Sequence, residues 1–161
     1  MLLSVVFSEN NAYGGGGMAN YFSSSPLLFQ VAFSNNSARF GGGMYNYASS
    51  NPFLLLVSFE DNEASYDGGG IYNDTNCNLE LFNTSFISNS AIRNGGGFYS
   101  DEICTTLIVN STFSGNDANG GGGIYNSGES HSSITFSTLS ENDNAAICNL
   151  NSSIRLSNSI V

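Results

Sequence analysis

The sequence predicts an all-β solenoid, a parallel β-helix of about six rungs, on three observations. A glycine triplet followed by an apolar residue recurs five times, ending at Met18, Met44, Ile71, Phe98 and Ile124, with steps of 26, 27, 27 and 26 residues. The rest of the unit keeps the same beat: Phe7, Phe33, Phe59, Phe86, Phe113 and Leu139 form one column, and an asparagine follows three residues later each time. No stretch carries a sustained helical apolar stripe with caps. A fixed period in this range means one supersecondary unit stacked on copies of itself.

Each element of the repeat has a physical reason. Short β-prone runs such as Leu79–Phe86 and Ile108–Phe113, bounded by Asn, Ser and Gly, read as strands. Of the 19 glycines, 17 fall in the five runs, a density that suits tight corners and close approach of two walls. In a β-helix each rung pairs with the next at about 4.8 Å, so equivalent residues lie over one another. The Phe column then becomes an interior stack. The column Asn10, Asn36, Asn62, Asn89, Asn116, Asn142 becomes a ladder of amides, each donating to the next rung. An alanine column follows at Ala12, Ala38, Ala64, Ala91 and Ala118. The 27-residue units carry their extra residue between that alanine and the glycines, at Ser65-Tyr66-Asp67 and Ile92-Arg93-Asn94, and a turn is expected there. A sixth, degenerate copy is Ala145-Ala146-Ile147-Cys148-Asn149.

The 161 residues form a single domain, residues 1–161. The chain begins in mid-rung, since Ser4–Phe7 aligns with Gln30–Phe33, and ends in mid-rung. Bare solenoid ends expose unpaired strand edges, so an excerpt of a longer solenoid, or ends covered by neighbouring rungs or caps, is expected. A formal charge of −10, with three arginines and no lysine, argues against a nucleic-acid partner and against attraction to anionic lipid. No apolar run approaches 18 residues, so no membrane insertion of this segment is expected. Met1–Phe7 lacks the basic start and the length of a signal peptide. Sequons at Asn35, Asn73, Asn83, Asn110 and Asn151 follow from the Asn/Ser/Thr-rich repeat and are given no weight.

The units Phe33-Ser34-Asn35-Asn36 and Gly41-Gly42-Gly43-Met44 resemble the Phe-x-x-Asn and Gly-Gly-Ala-Ile motifs of the polymorphic outer membrane proteins. Ser25-Pro26-Leu27-Leu28, echoed by Asn51-Pro52-Phe53-Leu54, is similar to the wider pectin-lyase-like group of bacterial β-helix proteins. The resemblance implies a right-handed coil and an exported, extracellular or cell-surface location, with a bacterial outer membrane as one setting. It implies a non-catalytic, adhesin-like passenger or binding scaffold. A carbohydrate-active lyase or hydrolase fragment and a purely structural spacer are the alternatives, because this fold hosts many functions. A partner would be a carbohydrate or a host or cell-surface protein.

Candidate site residues are few. Enzyme chemistry on such a coil needs clustered carboxylates in a groove, and most acidic residues here scatter, so no catalytic residue and no cofactor is assigned. Asp74 and Asp101 do stack on adjacent rungs, with Glu102 beside them. Two carboxylates that close need a proton or cation between them, which gives a Ca²⁺ site, or else they are solvated and turned apart. His131 is a lone loop imidazole. The glycine runs are not phosphate loops, because no Lys-Ser/Thr follows them. Cys77 and Cys104 fall in one column on adjacent rungs, within disulfide range if they face each other; otherwise they are two loop thiols that never meet. A bond there would fit an oxidising, extracellular setting. Tyr45, Tyr72, Tyr99 and Tyr125 follow the apolar residue of each glycine motif, so strand alternation points them outward. They form either an exposed aromatic strip for a sugar or protein partner, or a stack that stabilises the sheet.

Overall fold

A computed structural model describes residues 1–161 as a parallel β-solenoid of about six turns, built from 24 short strands and no helix. One complete rung shows the plan. Leu27–Phe29, Ala32–Ser34, Ser37–Phe40 and Met44–Tyr47 are consecutive strands, and each joins a different parallel sheet. These sheets are the four walls of the coil, of seven, six, five and six strands in chain order. No helix is present that is long and apolar enough to cross a membrane.

Four strands of three or four residues need sharp corners between them. In this rung the corner residues Gln30, Asn35, Gly41, Ala48 and Ser49 all take positive φ, between 55° and 63°. Only the third corner is glycine in every one of the first five rungs. The following two glycines have a separate reason. A Cβ on Gly42 would lie 2.5 Å from the Glu63 carbonyl oxygen of the next rung, and one on Gly43 would lie 2.7 Å from the Phe59 ring. The first glycine turns the chain; the other two admit backbone and ring where no side chain fits.

The predicted register holds. Phe33 pairs with Phe59, Phe59 with Phe86 and Phe86 with Phe113. The rings from Phe7 to Phe113 stack at centroid separations of 4.4–4.9 Å, with interplanar angles of 10° or less. With Leu28, Leu54, Leu81 and Ile108, Phe33 to Phe113 form one continuous core, all fully buried.

The asparagine ladder also forms. Asn62 Nδ2 donates to Asn89 Oδ1 at 2.9 Å and to the Phe33 carbonyl at 3.0 Å. Asn62 Oδ1 accepts Asn36 Nδ2 and the Asn36 backbone N–H. Both donor hydrogens and both acceptor positions of the buried amide are thus used. Asn36, Asn89 and Asn116 repeat the pattern.

The extra residue of the 27-residue rungs is not in a turn. Glu63–Asp67 and Ser90–Asn94 are continuous strands, and the register shifts between Ala64 and Asp67, which pairs with Phe40. The insertion is a β-bulge in the third wall, with two residues of one rung opposite one of its neighbour. Backbone hydrogen bonding continues on both sides, so the strand absorbs the residue without opening a loop.

Phe86→Ala removes a ring held between two others and is expected to cost about 3–5 kcal/mol. Asn89→Ala, which orphans buried partners on the rungs to either side, is expected to cost about 1–3 kcal/mol for each group left unpaired. Urea titrations of both variants followed by far-UV circular dichroism check these values.

Candidate functional site

The tyrosine column leaves the core side of the fourth wall, as alternation requires, yet it is not an exposed strip. Tyr72 and Tyr99 are 8 % and 7 % exposed, and Tyr45 and Tyr125 are half-buried. The cause is the angle between walls. The fourth-wall tyrosines lean over the last residues of the third wall, so the outside of that corner is re-entrant. Tyr72 lies 5.3 Å from the Phe40 ring, and the Tyr125 ring packs on Gly120. Along the column, Tyr72 stacks on Tyr99 at 4.8 Å and Tyr99 on Tyr125 at 5.3 Å. The column is a second aromatic core, laid along the outer corner and holding two walls together.

The acidic residues belong to the same corner. Tyr45 donates its hydroxyl to Asp74 Oδ2 at 3.3 Å, and Thr75 donates to Asp74 Oδ1 at 2.9 Å. Asp101 accepts from Tyr99 at 3.2 Å and from Ser127 at 2.8 Å. The Thr75 hydroxyl is also 2.8 Å from Glu102, and its single hydrogen serves one carboxylate or the other. Asp74 and Asp101 are therefore met by hydroxyl donors, and no group of three metal-ligating side chains converges there or elsewhere. Burial first, and then the neighbouring Glu102 and Asp101, raise the Asp74 carboxyl above its ordinary value, against hydrogen bonds from Thr75 and Tyr45. The same burial raises the phenol of Tyr72.

Asp67, 4 % exposed, ends the bulged strand one rung above Phe40. Asn94 Nδ2 donates to it at 2.9 Å, and the Arg93 guanidinium stands 3.9 Å away. Burial raises its carboxyl in spite of both partners.

The cysteines stack as the register demands, both fully buried and both free thiols. Their column explains them. Ser24, Ser50, Cys77, Cys104 and Ser130 follow one another at 26- or 27-residue steps. The Ser50 hydroxyl donates to the Tyr47 carbonyl, as the Cys77 thiol does to that of Asp74. The Cys77 backbone N–H donates to Cys104 Sγ at 3.1 Å, as that of Cys104 does to Ser130 Oγ at 3.3 Å. A thiol thus occupies a corner position that elsewhere holds a serine hydroxyl. The adjacent Cys77 sulfur, and then burial, raise the Cys104 thiol. Cys148 lies opposite Tyr125 with no cysteine beside it, and His131 lies exposed against Ser153.

One surface was not expected from the sequence. On the outer face of the third wall the Arg39 guanidinium lies 5.6 Å from the Tyr13 ring centroid and 4.7 Å from that of Tyr66, and Arg93 lies 4.5 Å from Tyr66 on its far side. Tyr13, Arg39, Tyr66 and Arg93 thus alternate ring and cation across four rungs. Tyr13 is 69 % exposed. Beside this line is a shallow depression of about 420 Å³ lined by Asn11, Tyr13, Ser37, Arg39, Glu63 and Ser65. Tyr66 and Arg93 join the line because the bulge turns them onto the face that Arg39 occupies.

With this geometry in view, comparison with known proteins is specific to the repeat. Residues 56–74 match the Chlamydia polymorphic membrane protein repeat. The chain is a β-helix repeat protein resembling the polymorphic membrane proteins. The matched stretch runs through Phe59, Asn62 and the glycines to Asp74, so it takes in the ring stack, the amide ladder and the corner. No curated protein and no solved structure shows significant similarity to the chain.

Two predictions follow from the corner. Tyr72→Ala is expected to lower stability by about 3 kcal/mol, through a hole between walls, measured by chemical denaturation. Asp67 and Asp74 hold protons more tightly when folded than when unfolded. Their contribution is therefore complete below the unfolded carboxyl value of about 3.9 and is lost as pH rises through the folded values. The melting temperature should fall between pH 4 and neutrality, and Asp67→Asn with Asp74→Asn should flatten that fall in a calorimetric pH series.

Proposed function

We propose that this segment is a non-catalytic repeat region of a surface or outer-membrane protein, and that the outer face of its third wall is an adhesin-like contact surface for a glycan. The coarser part of this reading is supported by the repeat match together with the solenoid. The observation that carries the finer part is the line of Tyr13, Arg39, Tyr66 and Arg93 beside a polar depression. An exposed phenol offers a flat apolar face to a sugar ring. Arg39, Asn11 and Glu63 add donors and acceptors for hydroxyl groups. Two of the chain's three cations, Arg39 and Arg93, are on this wall among Glu63, Asp67 and Asp117, a mixed surface suited to neutral, hydroxyl-rich sugars.

The Tyr45–Tyr125 column has a different role in this reading, since its middle rings are buried between walls. The solenoid supplies length and stiffness, and the third wall supplies the contacts.

The test is a glycan array and a binding assay on host-cell surfaces with the parent chain and Tyr13→Ala plus Arg39→Ala. Both side chains are exposed, so the variant should keep the parent's circular dichroism spectrum. Binding should weaken at least about tenfold, the scale of one lost hydrogen bond of about 1.4 kcal/mol. Parent-like binding by the folded variant would leave the spacer reading in its place.

A further inference from the structure

A second amide ladder runs inside the fourth wall, and it breaks. Asn20 Nδ2 donates to Asn46 Oδ1 at 2.8 Å, and Asn46 Nδ2 to Asn73 Oδ1 at 2.7 Å. The next residue in register is Ser100, whose side chain is one amide too short. Asn73 Nδ2, Ser100 Oγ and Thr106 Oγ1 then find no hydrogen-bond partner among the protein's own atoms. Their residues are 0 %, 0 % and 4 % exposed.

These three atoms belong to one place. Asn73 follows two amides that each donate toward the next rung, so its Nδ2 is the group that Ser100 fails to meet. Ser100 and Thr106 are six residues apart across one corner. One rung later the same spacing separates Asn126 and Ser132, and there the Ser132 hydroxyl does reach Asn126 Oδ1, at 3.0 Å. One rung earlier the equivalent of Thr106 is Leu79, opposite Asn73, and needs no partner. Asn126 Nδ2 is also unpaired, at a different place: its forward neighbour is Asn149 in the short last rung, whose side chain is turned to the Ser152 carbonyl.

An unmade buried hydrogen bond is costly, and three at one point are rarely left so. The truncation from an amide to a hydroxyl leaves room on the scale of one solvent molecule, and a buried water characteristically makes about three hydrogen bonds. We propose that the fourth rung holds an internal water molecule, which accepts from Asn73 Nδ2 and bonds the hydroxyl oxygens of Ser100 and Thr106. It stands in for the missing amide of the ladder. Water can accept from the amide and from one hydroxyl while donating to the other, so each of the three groups gains a partner.

High-resolution crystal structures of the parent chain and of Ser100→Asn plus Thr106→Leu test this. That variant gives the fourth rung the chemistry the third rung already has. The expected result is a solvent peak at hydrogen-bond distance, about 2.7–3.2 Å, from all three atoms in the parent, and no peak in the variant. The variant should also melt about 2–4 °C higher. Thr106→Val, which keeps the volume and removes one hydroxyl, should displace or lose the peak. No peak in the parent, a halide at the site, or a peak unmoved in Thr106→Val would overturn the proposal. Water-residence measurements by oxygen-17 relaxation dispersion give the same answer in solution: a long-lived water lost from the variant supports it, and no difference between the two proteins overturns it.

Discussion

Backbone pairing between successive rungs, in register, is the constraint from which the other features follow. At about 4.8 Å per rung, the residues at one position of the repeat lie directly above and below one another, and in the regular columns these are the same kind of side chain. Only certain groups are stable under self-stacking. Phenyl rings are, by face-to-face contact, and so are amides, because a primary amide both donates and accepts. Glycine suits it where walls meet, and serine does at a corner, where it accepts a backbone N–H from the rung before. Charges are not stable so stacked, since like charges opposite one another repel. This accounts for the distribution of the 13 acidic residues, most of which face no acidic residue on the adjacent rung. Where Asp74 and Asp101 do fall in one column, Tyr45, Thr75, Tyr99 and Ser127 supply hydroxyls to them.

The interior was legible in the sequence because it obeys the period strictly. Phe33, Asn36 and Gly41–Gly43 recur at fixed offsets, and one spatial rule converts those offsets into a stack, a ladder and a corner. Alternation within the strand points the tyrosine column away from the core, but it says nothing about the angle to the next wall. That angle folds the outer surface onto itself, and Phe40 and Gly120 receive the rings. The contact line of Tyr13, Arg39, Tyr66 and Arg93 was hidden for the opposite reason. A bulge displaces Tyr66 and Arg93 by one position, so a fixed-period alignment never sets them beside Arg39. The serine column containing Cys77 and Cys104 did carry a periodic signal. It went unread because two of its members are cysteines, whose disulfide chemistry suggests another role.

The molecule has two aromatic cores on either side of one glycine-rich corner. Phe33 to Phe113 fill the coil, and Tyr45 to Tyr125 brace it from outside. The glycines between them have no side chain that could separate the two, so the corner is thin and both stacks bear on the same backbone. The carboxyls gathered there, Asp67 and Asp74, are partly withdrawn from water, which is why burial dominates their protonation in the presence of Arg93, Asn94 and Thr75.

Self-similar columns carry a hazard of their own. A chain that mispaired by one whole copy would still set Phe on Phe and Asn on Asn, and would lose little in the process. The bulged strands Glu63–Asp67 and Ser90–Asn94 weigh against this in the middle of the coil. They pair with each other without a shift, and with their straight neighbours Ser37–Phe40 and Asp117–Gly120 only through one. A coil that skipped one of these two copies would keep both shifted junctions and lose the unshifted pair between them, so two added residues act as an indexing notch.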